Sequence, residues 1–233
     1  MEQVGIMDEK RFSNKEAIKF GWKVATENIL LVATILTAGG VSFFFEILMR
    51  MFRKSERILF YAIYLVSALI QGAFTMGQIK IALGFADNKQ SRYKDLFSCF
   101  HLLLKYIIAS TLYTLIVVLG FILFIIPGII WGIKYQFYIH FMVDKEVGPI
   151  EALKLSSRAT YGAKSELLVF GFVLSLINIA GVLCCGIGLL VTLPLTLVAW
   201  TYVYRILERQ LETPEASPLY PPEQIPLGDQ GSA

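Results

Sequence analysis

Apolar residues in this chain run in four long blocks, at residues 29–49, 58–85, 102–143 and 167–207, separated by basic and polar stretches. The first block is 21 residues long. At about 1.5 Å of rise per helical residue it spans roughly 30 Å, one hydrocarbon thickness. It is too long for the core of a signal peptide and reads as a retained span. The second block is one span interrupted by Gln71 and ending near Lys80. The third is long enough for two spans folded at Ile126-Pro127-Gly128, and the fourth for two spans folded at the glycines and cysteines of 184–188. The expected architecture is all-α, with six transmembrane helices as three hairpins. A membrane β-barrel would need alternating segments of about ten residues, and none is present.

Each hairpin is preceded by a basic stretch of amphipathic character. These predict interfacial helices near 13–27, 91–103 and 149–161. In the first, Ser13 and Glu16 have capping-box spacing. Ala17, Ile18, Gly21, Trp22 and Ala25 fall on one face, and Lys15, Lys19 and Lys23 on another. Such a helix lies flat at the membrane surface with Trp22 at headgroup depth. The middle stretch places Tyr93, Phe97, Phe100 and Leu104 along one face. The third begins at Pro149, a residue suited to a first helical turn. Glu16-Ala-Ile-Lys aligns with Glu151-Ala-Leu-Lys, and Gly120…Gly128 with Gly181…Gly188. The chain therefore reads as three parallel copies of one unit within a single domain over residues 1–210. Residues 211–233 hold five of the eight prolines and no Lys or Arg, as expected of a disordered cytoplasmic tail.

Composition agrees: 56% of residues are hydrophobic and 17% charged, too few charges to cover a soluble domain of this size. The net charge of +3 gives no nucleic-acid signal. Fourteen lysines and arginines flank the side on which the chain begins, from Lys10 to Arg209, against four in the first loop opposite. That bias predicts both termini in the cytoplasm. Three cysteines without metal or disulfide spacing, and only two histidines, predict no metal site and no cofactor.

The motifs Asp95-Leu-Phe, Ile126-Pro-Gly-Ile-Ile, Val143-Asp144-Lys-Glu, Glu151-Ala-Leu-Lys-Leu-Ser and Gly186-Ile-Gly…Pro194 resemble a large group of bacterial six-span membrane proteins of unknown function. That group looks related to the membrane domain of some glycerophosphoryl diester phosphodiesterases. The resemblance covers roughly residues 10–210 and implies topology and a location in a bacterial inner membrane. A catalytic barrel like theirs is not expected in this chain.

Ionisable groups inside spans cost several kcal/mol unless paired or hydrated. Lys134 and Glu46 are the candidates for an intramembrane polar site, with Gln71 and Asn178 beside them as interhelical hydrogen-bonding groups. Local alternatives are a Glu46–Arg50 pair one turn apart and a snorkelling Lys134. Gly128, Gly132, Gly72 and Gly77 have the small-residue spacing that lets helices approach. Lys15, Lys19, Lys23, Trp22, Lys154 and Arg158 form a belt facing anionic headgroups. No nucleophile–base constellation, phosphate loop or dinucleotide fingerprint is present. The expectation is a non-enzymatic membrane protein with an accessory or organising role, engaging anionic lipids, a partner membrane protein or its own copies. The alternative is a small transporter or lipid-translocating protein with a polar cavity near Lys134 and Glu46.

Overall fold

The computed structural model describes residues 12–52, 57–184, 186 and 188–212. Its helices are α1 (Asn14–Glu27), α2 (Ile29–Phe52), α3 (Arg57–Ala86), α4 (Leu103–Leu123), α5 (Ile125–Tyr135), α6 (Tyr138–Lys145), α7 (Pro149–Ala159), α8 (Lys164–Leu183) and α9 (Leu189–Glu212). Two short 3₁₀ pieces, Tyr93–Phe97 and Phe100–Leu102, lead into α4. Five helical stretches are long and apolar enough to cross a membrane: α2, α3, Tyr93–Leu123, α8 and α9. Large apolar side chains such as Phe43, Phe44, Leu65, Phe121 and Phe172 stand exposed on them. That surface suits hydrocarbon, and the chain is a multi-pass membrane protein. The Pro-rich tail, apart from its first two residues at the end of α9, lies outside the described residues.

Local chemistry sets several boundaries as expected. The Glu16 amide donates to Ser13 Oγ at 3.4 Å, which caps α1. Pro149 occupies the first turn of α7 behind Gly148. The turn between α8 and α9 falls at 184–188, where Gly186 takes a φ of +77°.

Four expectations change. The stretch 91–103 is not an amphipathic α-helix. Asp95 accepts the Arg92 amide at 2.8 Å and the Ser98 hydroxyl bonds the Asp95 carbonyl at 2.7 Å, so side chains compete for the groups an α-helix needs. The segment's aromatic face is nevertheless formed: Tyr93, Phe97, Phe100 and Leu104 are exposed, and Leu96, Cys99 and Leu102 are buried behind them.

The second fold-back comes at Phe124, three residues before Pro127. Phe124 alone is extended, and Pro127 sits inside the first turn of α5, where amides lack helical partners anyway. Gly120 meets Gly128 across this turn, and Gly181 meets Gly188 across the α8–α9 turn. A Cβ on either first glycine would come within 2.9 Å of atoms opposite, so the same two-glycine joint closes both turns.

The span expected after this turn is not one helix. It breaks at Gln136–Phe137 into α5 and α6. Finally, the apolar face of α1 does not rest on lipid. Ala17, Gly21, Val24 and Ala25 are buried, and Gly21 is pressed against the Leu195 carbonyl and Ala199 of α9. Phe20 stacks on Tyr202 at 4.7 Å.

The packing closes in cyclic order. Successive long helices pair as α2 with α3, α4 with α5, and α8 with α9. Each basic segment packs on other helices of the bundle. The Tyr93–Phe97 piece packs on α3, α7 on α5 and α6, and α1 on α9.

Candidate functional site

The ends of α3, α6 and α9 meet at one guanidinium. Arg205, in the last turns of α9, donates Nε and Nη2 to the two Asp87 oxygens, each at 2.8 Å. Its Nη1 and Nη2 also reach Asp144 Oδ2 and Oδ1 at 2.6 and 2.8 Å. Glu208, one turn on, lies 3.4 Å from Nη1. Asp87 follows α3, Asp144 lies in the last turn of α6, and Glu208 in the last turns of α9. The ends of α3, α6 and α9 thus each send one carboxylate to the centre. Lys145 pairs with Glu208 at 2.9 Å and Lys89 with Asp87 at 3.6 Å, so three acids face three bases. The Arg205, Asp87, Asp144 and Glu208 side chains are all under 20% exposed. Planar two-pronged pairing is what a guanidinium does better than an ammonium. The Tyr204 hydroxyl adds a bond to Asp144 at 2.9 Å. Chemically this is a charge-balanced clasp whose centre is already filled.

One layer deeper lies the break between α5 and α6. The Phe137 amide donates to Ser156 Oγ of α7 at 3.1 Å, and the Ser156 hydroxyl donates to the Lys134 carbonyl at 3.1 Å. Thr160 Oγ1 reaches the same carbonyl at 3.0 Å. Two hydroxyls of α7 thereby satisfy backbone groups that an unbroken helix would have satisfied internally, the condition for irregular backbone at membrane depth. Ser156 is fully buried, so it serves packing and hydrogen bonding and is not a nucleophile at a surface. Beside the break, His140 lies between the rings of Phe137 and Tyr204, at 5.4 and 5.2 Å. Its two ring nitrogens and Gln136 Nε2 are buried without hydrogen-bond partners.

The intramembrane residues singled out from sequence do not come together. Glu46 is half-exposed and bonds Arg50 at 2.5 Å, one turn away on its own helix. The Lys134 ammonium stands 5.1 Å from the centroid of the neighbouring Tyr135 ring. No Glu46–Lys134 pair exists. Gln71 is exposed on α3; the bond from that helix to α2 is made by Gln78, whose Nε2 donates to the Thr34 carbonyl at 3.3 Å. Asn178 does join two helices, donating to Thr196 Oγ1 at 2.9 Å. Gly72, Gly77 and Gly128 are close-approach positions, against the Tyr106 ring, the Leu96 carbonyl and the Phe121 ring. Gly132 is not, its nearest neighbour being the Tyr113 hydroxyl at 3.9 Å.

In the basic belt, Lys15, Lys19, Lys23 and Trp22 are exposed on α1, opposite the face held by α9. None of the three lysines enters an ion pair among the described residues. On α7, Lys154 is exposed and Arg158 half-buried. Cys184 is a free, exposed thiol.

Arg205 was legible only as one of the fourteen lysines and arginines counted for orientation. The missed signal is positional: Asp87, Asp144 and Glu208 each stand at or near the end of a helix, four residues after Leu83, His140 and Tyr204.

No family model matches the chain, and no solved structure matches it. It is similar to the uncharacterized protein Rv2560 of Mycobacterium tuberculosis, 30% identical over 125 residues, which is 53% of this chain and 38% of that protein. It is also similar to the uncharacterized protein Mb2590 of Mycobacterium bovis, 33% identical over 113 residues, 48% of this chain and 34% of that protein. The chain thus spans little more than a third of the length of these curated relatives. The similarity is distant and partial, to proteins whose names state no activity.

Proposed function

We propose that the chain is a non-enzymatic organising or accessory protein of a bacterial inner membrane that engages anionic lipid headgroups through α1. In this reading α5 and α6 together make a sixth, discontinuous crossing, the helices form three hairpins, and both ends of the chain lie in the cytoplasm. The resemblance to the six-span group belongs to the same proposal. One observation carries it: α1 is held to the bundle by its apolar face, while Lys15, Lys19 and Lys23 stand exposed on the free side with Trp22 beside them and make no ion pair among the described residues. Each such cation near an anionic leaflet contributes about 1 kcal/mol of attraction. A partner membrane protein or a further copy would meet the same exposed apolar flanks that meet lipid.

The test is native mass spectrometry of the detergent-purified protein titrated with phosphatidylglycerol and phosphatidylcholine. The wild type should prefer the anionic lipid, and the triple variant Lys15→Gln, Lys19→Gln, Lys23→Gln should lose that preference. Equal preference in both proteins would refute the reading.

A second reading, a small transporter or lipid translocator, draws support from the α5–α6 break. Discontinuous spanning helices often border substrate sites, and His140 and Gln136 bring buried polar atoms to this one. Uptake or scrambling by reconstituted vesicles, abolished by His140→Leu, would favour it.

A further inference from the structure

We infer that the cleft between α2, α3 and α9 seats one acyl chain of an anionic phospholipid whose headgroup lies on α1, an assignment that rests on the headgroup reading above. The cleft measures about 310 Å³ and is lined by Ile35, Ala38, Gly39 and Ser42 of α2, Gln78 of α3 and Leu197 of α9. Known ligand clefts run from about 300 to 1,000 Å³, so this one suits a single chain and not a whole lipid.

Its walls are hydrocarbon in character. Leu193 and Leu197 supply large apolar surface from α9. The polar side chains turn their donors elsewhere: Gln78 Nε2 onto the Thr34 carbonyl, and the Ser42 hydroxyl onto the Ala38 carbonyl at 2.8 Å. Neither donor is aimed at a headgroup. The space exists because α2 buries only Leu31 and Thr34, both near its start, and because Gly39 has nothing within 4 Å of where a Cβ would stand.

Position selects the occupant. Every lining residue belongs to a stretch long and apolar enough to cross a membrane, so the medium that fills an open cleft there is lipid. Ile35 and Ser42 come seven and fourteen residues after Asn28, the corner between α1 and α2. They therefore lie about 10 and 21 Å along α2 from that corner, beyond the helix that carries Lys19 and Lys23. The turn of α9 that receives α1, through Leu195 and Ala199, also carries Leu193 and Leu197 into the cleft. Headgroup element and chain cleft are thus built on one helix.

The experiment uses the full chain purified in mild detergent, with dioleoyl phosphatidylglycerol as the probe and native mass spectrometry as the readout. Gly39→Leu and, from the other wall, Leu193→Trp fill the cleft. Gly40→Leu adds the same bulk one residue away, where the structure is also open, and serves as the control for folding and general lipid contact. The wild type and Gly40→Leu should retain one phosphatidylglycerol through detergent exchange. The two cleft variants should retain at least tenfold less, while keeping the headgroup preference seen on titration. Retention by both cleft variants at the wild-type level would overturn the seat. So would a shift from dimer to monomer in the cleft variants, which would make a second copy the occupant. If the triple lysine variant retains a lipid chain but shows no headgroup preference, both assignments stand. If the cleft variants lose the lipid while the lysine variant keeps its preference, the cleft stands and the role given to α1 falls.

Discussion

Arg205 and Asp87 lie 118 residues apart in sequence and face each other as a two-pronged pair, Nε to Oδ1 and Nη2 to Oδ2, each at 2.8 Å. The same guanidinium grips Asp144, so it ties the closing turns of α3 and α6 to α9. Removing one partner from a buried ion cluster leaves the other charges without compensation, at a cost of roughly 3–5 kcal/mol. Arg205→Leu, which strands three carboxylates against two lysines, should lower the thermal unfolding temperature in detergent sharply or prevent folding. Arg205→Lys keeps the charge but loses the fork, and should fall between it and the wild type.

Ser156→Ala should destabilise by about 1–3 kcal/mol, because the Phe137 amide would be left buried without an acceptor. Thr160 still reaches the Lys134 carbonyl, so the loss is confined to one side of the break. Amide hydrogen exchange checks this: Phe137 should lose protection in the variant while α9 keeps its own.

Gly77 and Gly132 have the same small-residue spacing and should respond oppositely to alanine. A Cβ at Gly77 runs into the Leu96 carbonyl, so Gly77→Ala should cost on the order of 1–3 kcal/mol. At Gly132 the nearest atom is 3.9 Å away, and the gain in helix propensity is up to about 1 kcal/mol. Thermal unfolding of the two variants side by side decides it.

The exposed Cys184, at the α8–α9 turn, reports on sidedness. With Cys99 and Cys185 replaced by Ser, a membrane-impermeant maleimide should label Cys184 in intact spheroplasts. In a Lys89→Cys variant that lacks the native cysteines, labelling should need permeabilisation. Labelling of both positions from one compartment would contradict the topology proposed here.

What could be read from the chain was local. Ser13 three residues before Glu16, and Pro149 behind Gly148, act within a single turn, and both helix starts fell where expected. The glycines at 120, 128, 181 and 188 revealed a repeated joint because they recur at similar spacing. The 3₁₀ path through Tyr93–Phe97 was hidden because the surroundings decide it: the Leu96 carbonyl sits against Gly77 of another helix, and Ser91 bonds the Ile81 carbonyl at 2.9 Å. The break at Gln136 was hidden because its stabilising hydroxyls sit 19 to 26 residues downstream. Glu46 and Lys134 were paired on depth alone, and depth does not fix which way around a bundle a side chain points.

Because α1 is seated on α9, α1 leaves the ribosome well before the helix against which it buries Ala17 and Gly21. Until that helix follows, its small-residue face has only solvent or lipid for company. Chains stalled before residue 195 should therefore be recognised by quality-control proteases through that bare face, and chains that have completed α9 should escape them as the two helices latch.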